Sequence, residues 1–134
     1  MTKYNLICIL VIIISLIGII LINDNLKDHE ITLYELYDDM KHSSLNAKAV
    51  HMSLSQLKNG YIIHIKNHNS EYFGCFKEFN GNNMIIKSEK RNIRFDKDFY
   101  TGQALIFNNS TQFSELSVDE MKSIKGTFIK YSLN

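Results

Sequence analysis

The sequence lacks the residue patterns that mark most soluble enzymes. It has no proline, no tryptophan and only two cysteines. Cys8 falls in an apolar N-terminal run, whereas Cys75 falls in an apolar strand pattern that predicts core packing, so the two are not expected to pair. Neither a Gly-x-Ser-x-Gly context nor a glycine-rich phosphate loop occurs. We therefore predict a protein that is not an enzyme, holds no cofactor and folds without disulfide support.

An excess of charge of either sign is also missing. Lysine and arginine number 15 against 14 aspartates and glutamates, and without Lys3 the two counts are equal. Nucleic acid requires a basic surface that neutralises its phosphates, and a polybasic lipid-binding patch requires clustered lysine and arginine. The zero balance therefore predicts that the domain binds no nucleic acid, and it argues against a polybasic patch.

One long apolar run stands near the N-terminus. From Leu6 to Ile22 every residue is apolar except Ser15. As a helix this run would extend about 25 Å at ~1.5 Å per residue, which with its polar flanks matches the hydrocarbon thickness of a bilayer. We therefore predict a single-pass transmembrane anchor over residues 1–23 and an extracytoplasmic domain over residues 24–134.

The flanks of the run predict its orientation in the cell membrane. Lys3 precedes the run, whereas Asp24, Asp28 and Glu30 dominate after it, with Lys27 between them. Positive charge is retained on the cytoplasmic side, so we expect a cytoplasmic N-terminus and a domain outside. The small residues of a cleavage site are missing after the run, since the first alanine is Ala47. The anchor is therefore expected to remain attached.

Beyond the anchor the apolar pattern first has helical periodicity. Apolar residues recur at Leu33, Leu36, Tyr37 and Met40, which indicates an amphipathic helix over about 29–46. No proline or glycine separates this segment from the anchor. We therefore expect one helix to extend the other.

The rest of the chain has strand periodicity between turn residues. A short helical turn in 118–125 is also expected, with Ser117 as its cap and Glu120 three residues on. The fold class is therefore predicted as α+β, with an N-terminal transmembrane helix extended by an amphipathic helix and packed on a small antiparallel β-sheet. The predicted strands are 50–54, 61–66, 72–76, 84–87, 92–95, 104–107 and 126–132.

The pair Asn59-Gly60 predicts a tight hairpin between the first two strands, since a type I′ turn needs positive φ at both positions. Counting outward from this turn places His51 opposite His68. His51, His64 and His68 would then share one exposed face, the geometry that a zinc or copper site uses. The alternative, which we favour, is a solvated polar strand face without metal, because no carboxylate or cysteine spacing accompanies the histidines.

The layout of the chain resembles a known family. A short basic leader runs through Tyr4-Asn5-Leu6-Ile7 into the isoleucine-rich segment, a step to strands follows at Asn46-Ala47-Lys48-Ala49, and 92–95 is expected to pair with 104–107. In these features the chain resembles the type IV pilins and pseudopilins. It looks most like the minor pseudopilins of type II secretion and of competence systems in Gram-positive bacteria.

The resemblance implies a structural or assembly subunit of a secretion, competence or type IV pilus system. Such a subunit forms homo- or hetero-oligomers through its N-terminal helix, with Ser15 and Gly18 as the positions of closest helix approach. Where the family has glycine, phenylalanine and glutamate, this chain has Lys3, Tyr4 and Cys8. The alternative is a single-pass, membrane-tethered extracytoplasmic binding or sensor protein of unknown ligand.

Overall fold

A computed structural model of the protein describes residues 30–43, 46–107 and 112–131. Strands make up 48% of these residues and helices 23%. The helices are α1 (Leu33–His42) and α2 (Val118–Ser123), and single 3₁₀ turns span Leu54–Gln56 and Lys97–Phe99. The strands are β1 (Glu30–Thr32), β2 (Ala47–His51), β3 (Ile62–Asn67), β4 (Ser70–Asn80), β5 (Asn83–Ile86), β6 (Ile93–Asp96), β7 (Tyr100–Phe107) and β8 (Lys125–Phe128).

The expected fold class is wrong. The strands form a curled, eight-stranded sheet that is mixed, because β8 pairs with β4 in parallel. It therefore replaces the small antiparallel sheet of the prediction, and the domain is mostly β. Within the described ranges, no helix is long and apolar enough to cross a membrane. The predicted anchor, residues 1–23, lies outside the described residues, as do Ser15 and Gly18.

The amphipathic helix does form, but it does not continue a preceding helix. Thr32 has an extended backbone (φ −94, ψ 157) and belongs to β1, which pairs with β8. The Thr32 hydroxyl accepts a hydrogen bond from the Glu35 amide at 3.1 Å, the arrangement that starts a helix. Within α1, the predicted stripe of Leu33, Leu36 and Met40 is buried. The strand and the cap therefore set the start of α1, whatever precedes them.

The sheet is built around β4, the longest strand. Its order is β1-β8-β4-β3-β7-β2, and β5 and β6 branch off from β4. The first part of β4 pairs with β3 and β8, and the later part pairs with β5 after a register shift between Phe76 and Glu78. Gly74 lies at this junction, where an added Cβ would stand 2.5 Å from the Ile86 Cγ2. The sheet therefore divides at β4 and curls.

Both faces of the central strands are covered. In β3 and β7 the runs Ile62–Ile65 and Ala104–Phe107 are buried throughout, the pattern of strands packed on two sides. On one side the core includes residues of α1 and α2, namely Leu33, Leu36, Met40 and Met121. On the other side it includes Met84 and Ile86 of β5, with Phe95 of β6 packed against it. The helices and the β5–β6 hairpin thus enclose the sheet.

The predicted Asn59-Gly60 hairpin is wrong. Strand β2 pairs with β7, and β3 lies between β4 and β7. The contact with β7 continues one residue past β2, because the Met52 N–H donates to the Gly102 carbonyl at 2.9 Å and the Met52 carbonyl accepts from the Tyr100 hydroxyl at 2.7 Å. The predicted pairing of 92–95 with 104–107 is wrong as well, because β6 pairs with β5 among the described strands.

Candidate functional site

A row of polar side chains crosses the helix-covered face of the sheet. The strand register places His51 of β2 directly opposite Gln103 of β7. On the next strands, Thr101 of β7 hydrogen bonds to His64 of β3, and Glu71 of β4 approaches the same imidazole. We call these residues, His51, Gln103, Thr101, His64 and Glu71, the polar row. They come from four strands, and only the fold brings them together.

His64 is the buried centre of the polar row, with 5% of its surface exposed. Its Nδ1 lies 2.9 Å from the Thr101 hydroxyl, and its Nε2 lies 2.9 Å from the Lys125 carbonyl and 3.4 Å from a Glu71 carboxylate oxygen. The ring also packs on Phe73, with the centroids 5.2 Å apart. Every polar atom of this side chain therefore has a partner within the domain.

The surroundings of Nε2 determine the tautomer of His64. A carbonyl and a carboxylate both accept hydrogen bonds, so Nε2 must carry the proton that it donates to Lys125. In the neutral ring Nδ1 then accepts from the Thr101 hydroxyl. The Thr101 hydroxyl also contacts the Gln103 side-chain oxygen and lies 3.1 Å from the His64 carbonyl, so three acceptors surround its single proton.

Burial keeps the His64 ring neutral. It lowers the pKa of His64 below the ordinary value of 6.5, because the imidazolium would lose its hydration,. The hydrogen bond to the Lys125 carbonyl and the charge of Glu71 act in the opposite direction, but burial is the larger effect. With so little exposed surface, the ring cannot reach a substrate. The buried part of the polar row is therefore structural and titratable, and a substrate in solution does not reach it.

The exposed end of the polar row is different. His51 Nε2 lies 3.4 Å from a carboxylate oxygen of Glu120 on α2, and about half of each side chain is exposed. Glu120 also accepts from the Ser117 amide, which is the main reason that its pKa is lowered. A pair this exposed contributes little stability. It leaves His51 facing solvent as the accessible edge of the polar row.

The three predicted site histidines are not brought together. His51 and His64 lie on the same face, separated by β7, whereas His68 lies in the turn between β3 and β4 with φ 48. The His68 ring stands on Phe99, with the centroids 6.0 Å apart. Among the described residues there is no group of three or more His, Cys, Asp or Glu side chains that could hold a metal. The hairpin that would have aligned the histidines is not formed.

Comparison with known protein families and with curated proteins finds no match to this chain.

Cys75 has the core position that its strand pattern predicts. It is fully buried in β4 opposite Ile62, and burial raises the pKa of its thiol. A buried thiol with a raised pKa is a poor nucleophile because the thiolate is the reactive form. Cys75 therefore belongs to the core and not to a site.

A second candidate site is a groove with basic walls on the surface. It has a volume of about 440 Å³ and is lined by Ser88, Glu89, Lys90, Arg91, Ile93, Ile129 and Lys130. Three of these side chains are cationic and one is anionic. Within the described ranges, no carboxylate lies within ion-pair distance of Lys90, Arg91 or Lys130. We call this site the basic groove.

The net charge of the whole chain does not reveal the basic groove. The local signal is present in the segment 87–94, which carries Lys87, Lys90, Arg91 and Arg94 against Glu89. Lys130 is far away in sequence, and only the junction of β5 and β8 at β4 brings it to the same place. Zero net charge therefore coexists with a locally cationic surface.

Proposed function

We propose that this protein is a single-pass, membrane-tethered extracytoplasmic domain that acts by binding, as a binding or sensor protein. The observation that carries the proposal is the start of the domain. An extended strand, β1, pairs with β8 and is followed by the capped helix α1 of 10 residues. A subunit of the pilin type would instead join anchor and domain by a continuous helix. A strand connection favours a tethered domain over that assembly role.

The β2 edge of the sheet is closed to strand addition, whereas β6, which pairs only with β5 among the described strands, forms a second edge. Beyond β2, the edge is covered by residues 114–116, since the His51 amide donates to the Ser114 carbonyl and the Leu116 amide donates to the Ala49 carbonyl, both at 2.8 Å. At the other end, α1 follows β1 directly. The cover at β2 limits strand addition between copies on that side of the sheet. Among the described residues, the basic groove and the exposed end of the polar row are two surfaces open to a partner.

The tether is tested by extraction of the full-length protein from membranes of its own host. We expect the chain to stay in the membrane pellet after alkaline carbonate treatment, and added protease to cleave the domain from outside. The double variant Ile13→Arg/Ile14→Arg places two charges at the centre of the apolar run, at roughly 3 kcal/mol each for insertion, and is expected to release the chain. Asn25→Arg, outside the run, is the control and is expected to stay bound.

The same sample distinguishes the tethered domain from an assembly subunit. Intact mass and N-terminal sequencing are expected to give a chain that begins at or next to Met1. Loss of Met1-Thr2-Lys3 with a methylated new terminus at Tyr4 would instead support the assembly subunit of the resembled family. Release of the wild-type chain by carbonate would overturn the tether itself.

A further inference from the structure

The path of the chain places the basic groove on the side of the domain where the preceding chain joins it. Strand β1 runs antiparallel to β8, with Glu30 opposite Thr127. The chain before Glu30 therefore arrives at the end of β8 that continues into Ile129 and Lys130. These two residues line the basic groove. The groove and the start of the domain thus lie at one end of the same strand.

The length of chain between domain and anchor limits how far this end can be from a membrane. This step rests on the proposed function, because it takes residues 1–23 as the anchor. Only residues 24–29 then separate the anchor from Glu30, and a chain of that length spans at most about 20 Å. The end of the domain that carries the basic groove is therefore held close to the headgroup layer.

We propose that the basic groove binds the phosphate headgroups of anionic phospholipids in the bilayer that carries the anchor. Arg91 can hold a phosphate through two parallel N–H donors, and Lys90 and Lys130 add positive charge to the lining of the groove. Ile93 and Ile129 contribute an apolar lining. Glu89 is the one anionic side chain of the groove, so the lining keeps an excess of positive charge.

The charges elsewhere favour the same orientation. On α1, Glu35, Asp38 and Asp39 outnumber Lys41, and on α2, Asp119 and Glu120 outnumber Lys122, so the helix layer has a net negative charge. Both helices pack on the face of the sheet opposite to the β5–β6 hairpin, beside which the groove lies. An anionic bilayer would attract the groove and repel the helix layer. The domain is therefore expected to rest on the membrane by the basic groove, with α1 and α2 directed away.

The proposal is tested with the full chain in lipid nanodiscs of phosphatidylcholine alone or with phosphatidylglycerol added. A membrane-impermeant acetylating reagent reports the exposure of each lysine, read by mass spectrometry. We expect acetylation of Lys90 and Lys130 to slow at least about fivefold in the anionic discs, which is the effect of about one favourable charge contact. The rate is expected to recover in 0.5 M salt, because the screening length there is only roughly 4 Å. Lys66, at the far end of β3, is expected to react equally in both discs.

Two variants with the same change of charge complete the experiment. Arg91→Glu is expected to abolish the protection of Lys90 and Lys130. Lys125→Glu, an exposed position at the opposite end of β8, is expected to leave that protection unchanged. Protection that survives Arg91→Glu would overturn the assignment to the basic groove.

The remaining outcomes separate this inference from the proposed function. Equal reaction of Lys90 and Lys130 in both kinds of disc, with the chain retained, would overturn the headgroup site and leave the tether intact. Failure of the chain to remain in either disc would overturn both. The last outcome concerns about 10 mM inorganic phosphate, a concentration at roughly the millimolar scale of weak anion sites. If this phosphate protects Lys90 and Lys130 equally well in phosphatidylcholine discs, the groove is a site for a soluble anion and the assignment to lipid is overturned.

Discussion

Acidification is expected to destabilise the domain through His64. The ring is buried, its Nε2 proton is held by the Lys125 carbonyl, and its pKa is lowered by burial. Between the lowered pKa and the ordinary value of 6.5, the unfolded chain binds a proton that the folded domain does not. The stabilisation is therefore complete above about pH 6.5 and is lost as the pH falls through the window below that value.

The number of protons bound on unfolding limits how much the unfolding free energy can change with pH. One proton taken up on unfolding changes the unfolding free energy by at most about 1.4 kcal/mol per pH unit. For a small domain with a stability of roughly 5–15 kcal/mol, one pH unit within that window is a measurable loss. Glu71, 3.4 Å from Nε2, favours the charged ring. The variant Glu71→Gln is therefore expected to make the domain more sensitive to acid.

The assay is urea unfolding of the full chain in detergent micelles at several pH values between 7.5 and 5.5, followed by tyrosine fluorescence. His64→Gln removes the titrating group while its amide nitrogen can still donate to the Lys125 carbonyl. We expect this variant to lose the part of the acid dependence that His64 contributes. His51→Gln is the control on the same polar row, and it is expected to keep the wild-type acid loss because His64 is still present.

Two results would refute this reasoning. If the unfolding free energy of the wild type rises on acidification below pH 6.5, the charged ring is the better accommodated form and the hydrogen bond to Lys125 with the charge of Glu71 outweighs burial. If His64→Gln has the full acid dependence of the wild type, the loss comes from other groups. Either result would remove His64 as the titrating centre of the polar row.

Three further predictions concern the junction, a helix cap and the buried thiol. Gly74→Ala places a methyl group 2.5 Å from the Ile86 Cγ2, so we expect the unfolding free energy in urea to fall by about 1–3 kcal/mol. Adding Ile86→Leu removes the Cγ2 methyl and is expected to restore part of this loss. Strictly additive effects of the two changes would contradict the clash. Ser117→Ala breaks the capping box of α2 and is expected to lower the unfolding free energy by about 1 kcal/mol, whereas exposed Ser55→Ala serves as the control. Cys75 is expected to react with maleimide only in denaturant, as peptide mass spectrometry would detect, and rapid native labelling would contradict its burial.

Local signals in the sequence predicted the local structure well. The apolar spacing of Leu33, Leu36 and Met40 predicted the buried stripe of α1, and Ser117 with Glu120 predicted the capping box of α2, both of which are confirmed. The turn between β4 and β5 is equally local, since Gly81 has φ 61 and Asn80 pairs with Asn83. Each of these features depends on residues within one turn of helix or one hairpin.

The pairing of strands was not predictable in the same way. Asn59-Gly60 is the strongest hairpin signal in the chain, and Gly60 does have a positive φ of 101. Yet its amide donates to the Phe76 carbonyl at 2.9 Å and not across a β2–β3 hairpin. Strand β2 pairs with β7 instead, and the bonds of Met52 to Tyr100 and Gly102 extend that pairing between segments that are distant in sequence. The periodicity of β2 carries no information about them.

The same limit explains why neither candidate site was visible as a site. His64 receives its partners from Thr101 and Lys125, 37 and 61 residues away along the chain, so its chemistry depends on where β7 and β8 lie. The basic groove depends on Lys130 reaching the segment that carries Lys90, and that happens because β5 and β8 both end against β4.

Gly74 connects this junction to the basic groove. An added methyl group there would meet Ile86 of β5 on one side and Ile129, which lines the groove, at 3.6 Å. A substitution that separates β5 from β8 would therefore separate Lys90 from Lys130 as well. Stability at the junction and the arrangement of cations in the basic groove thus depend on the same close contact, and a variant that weakens one is expected to weaken the other.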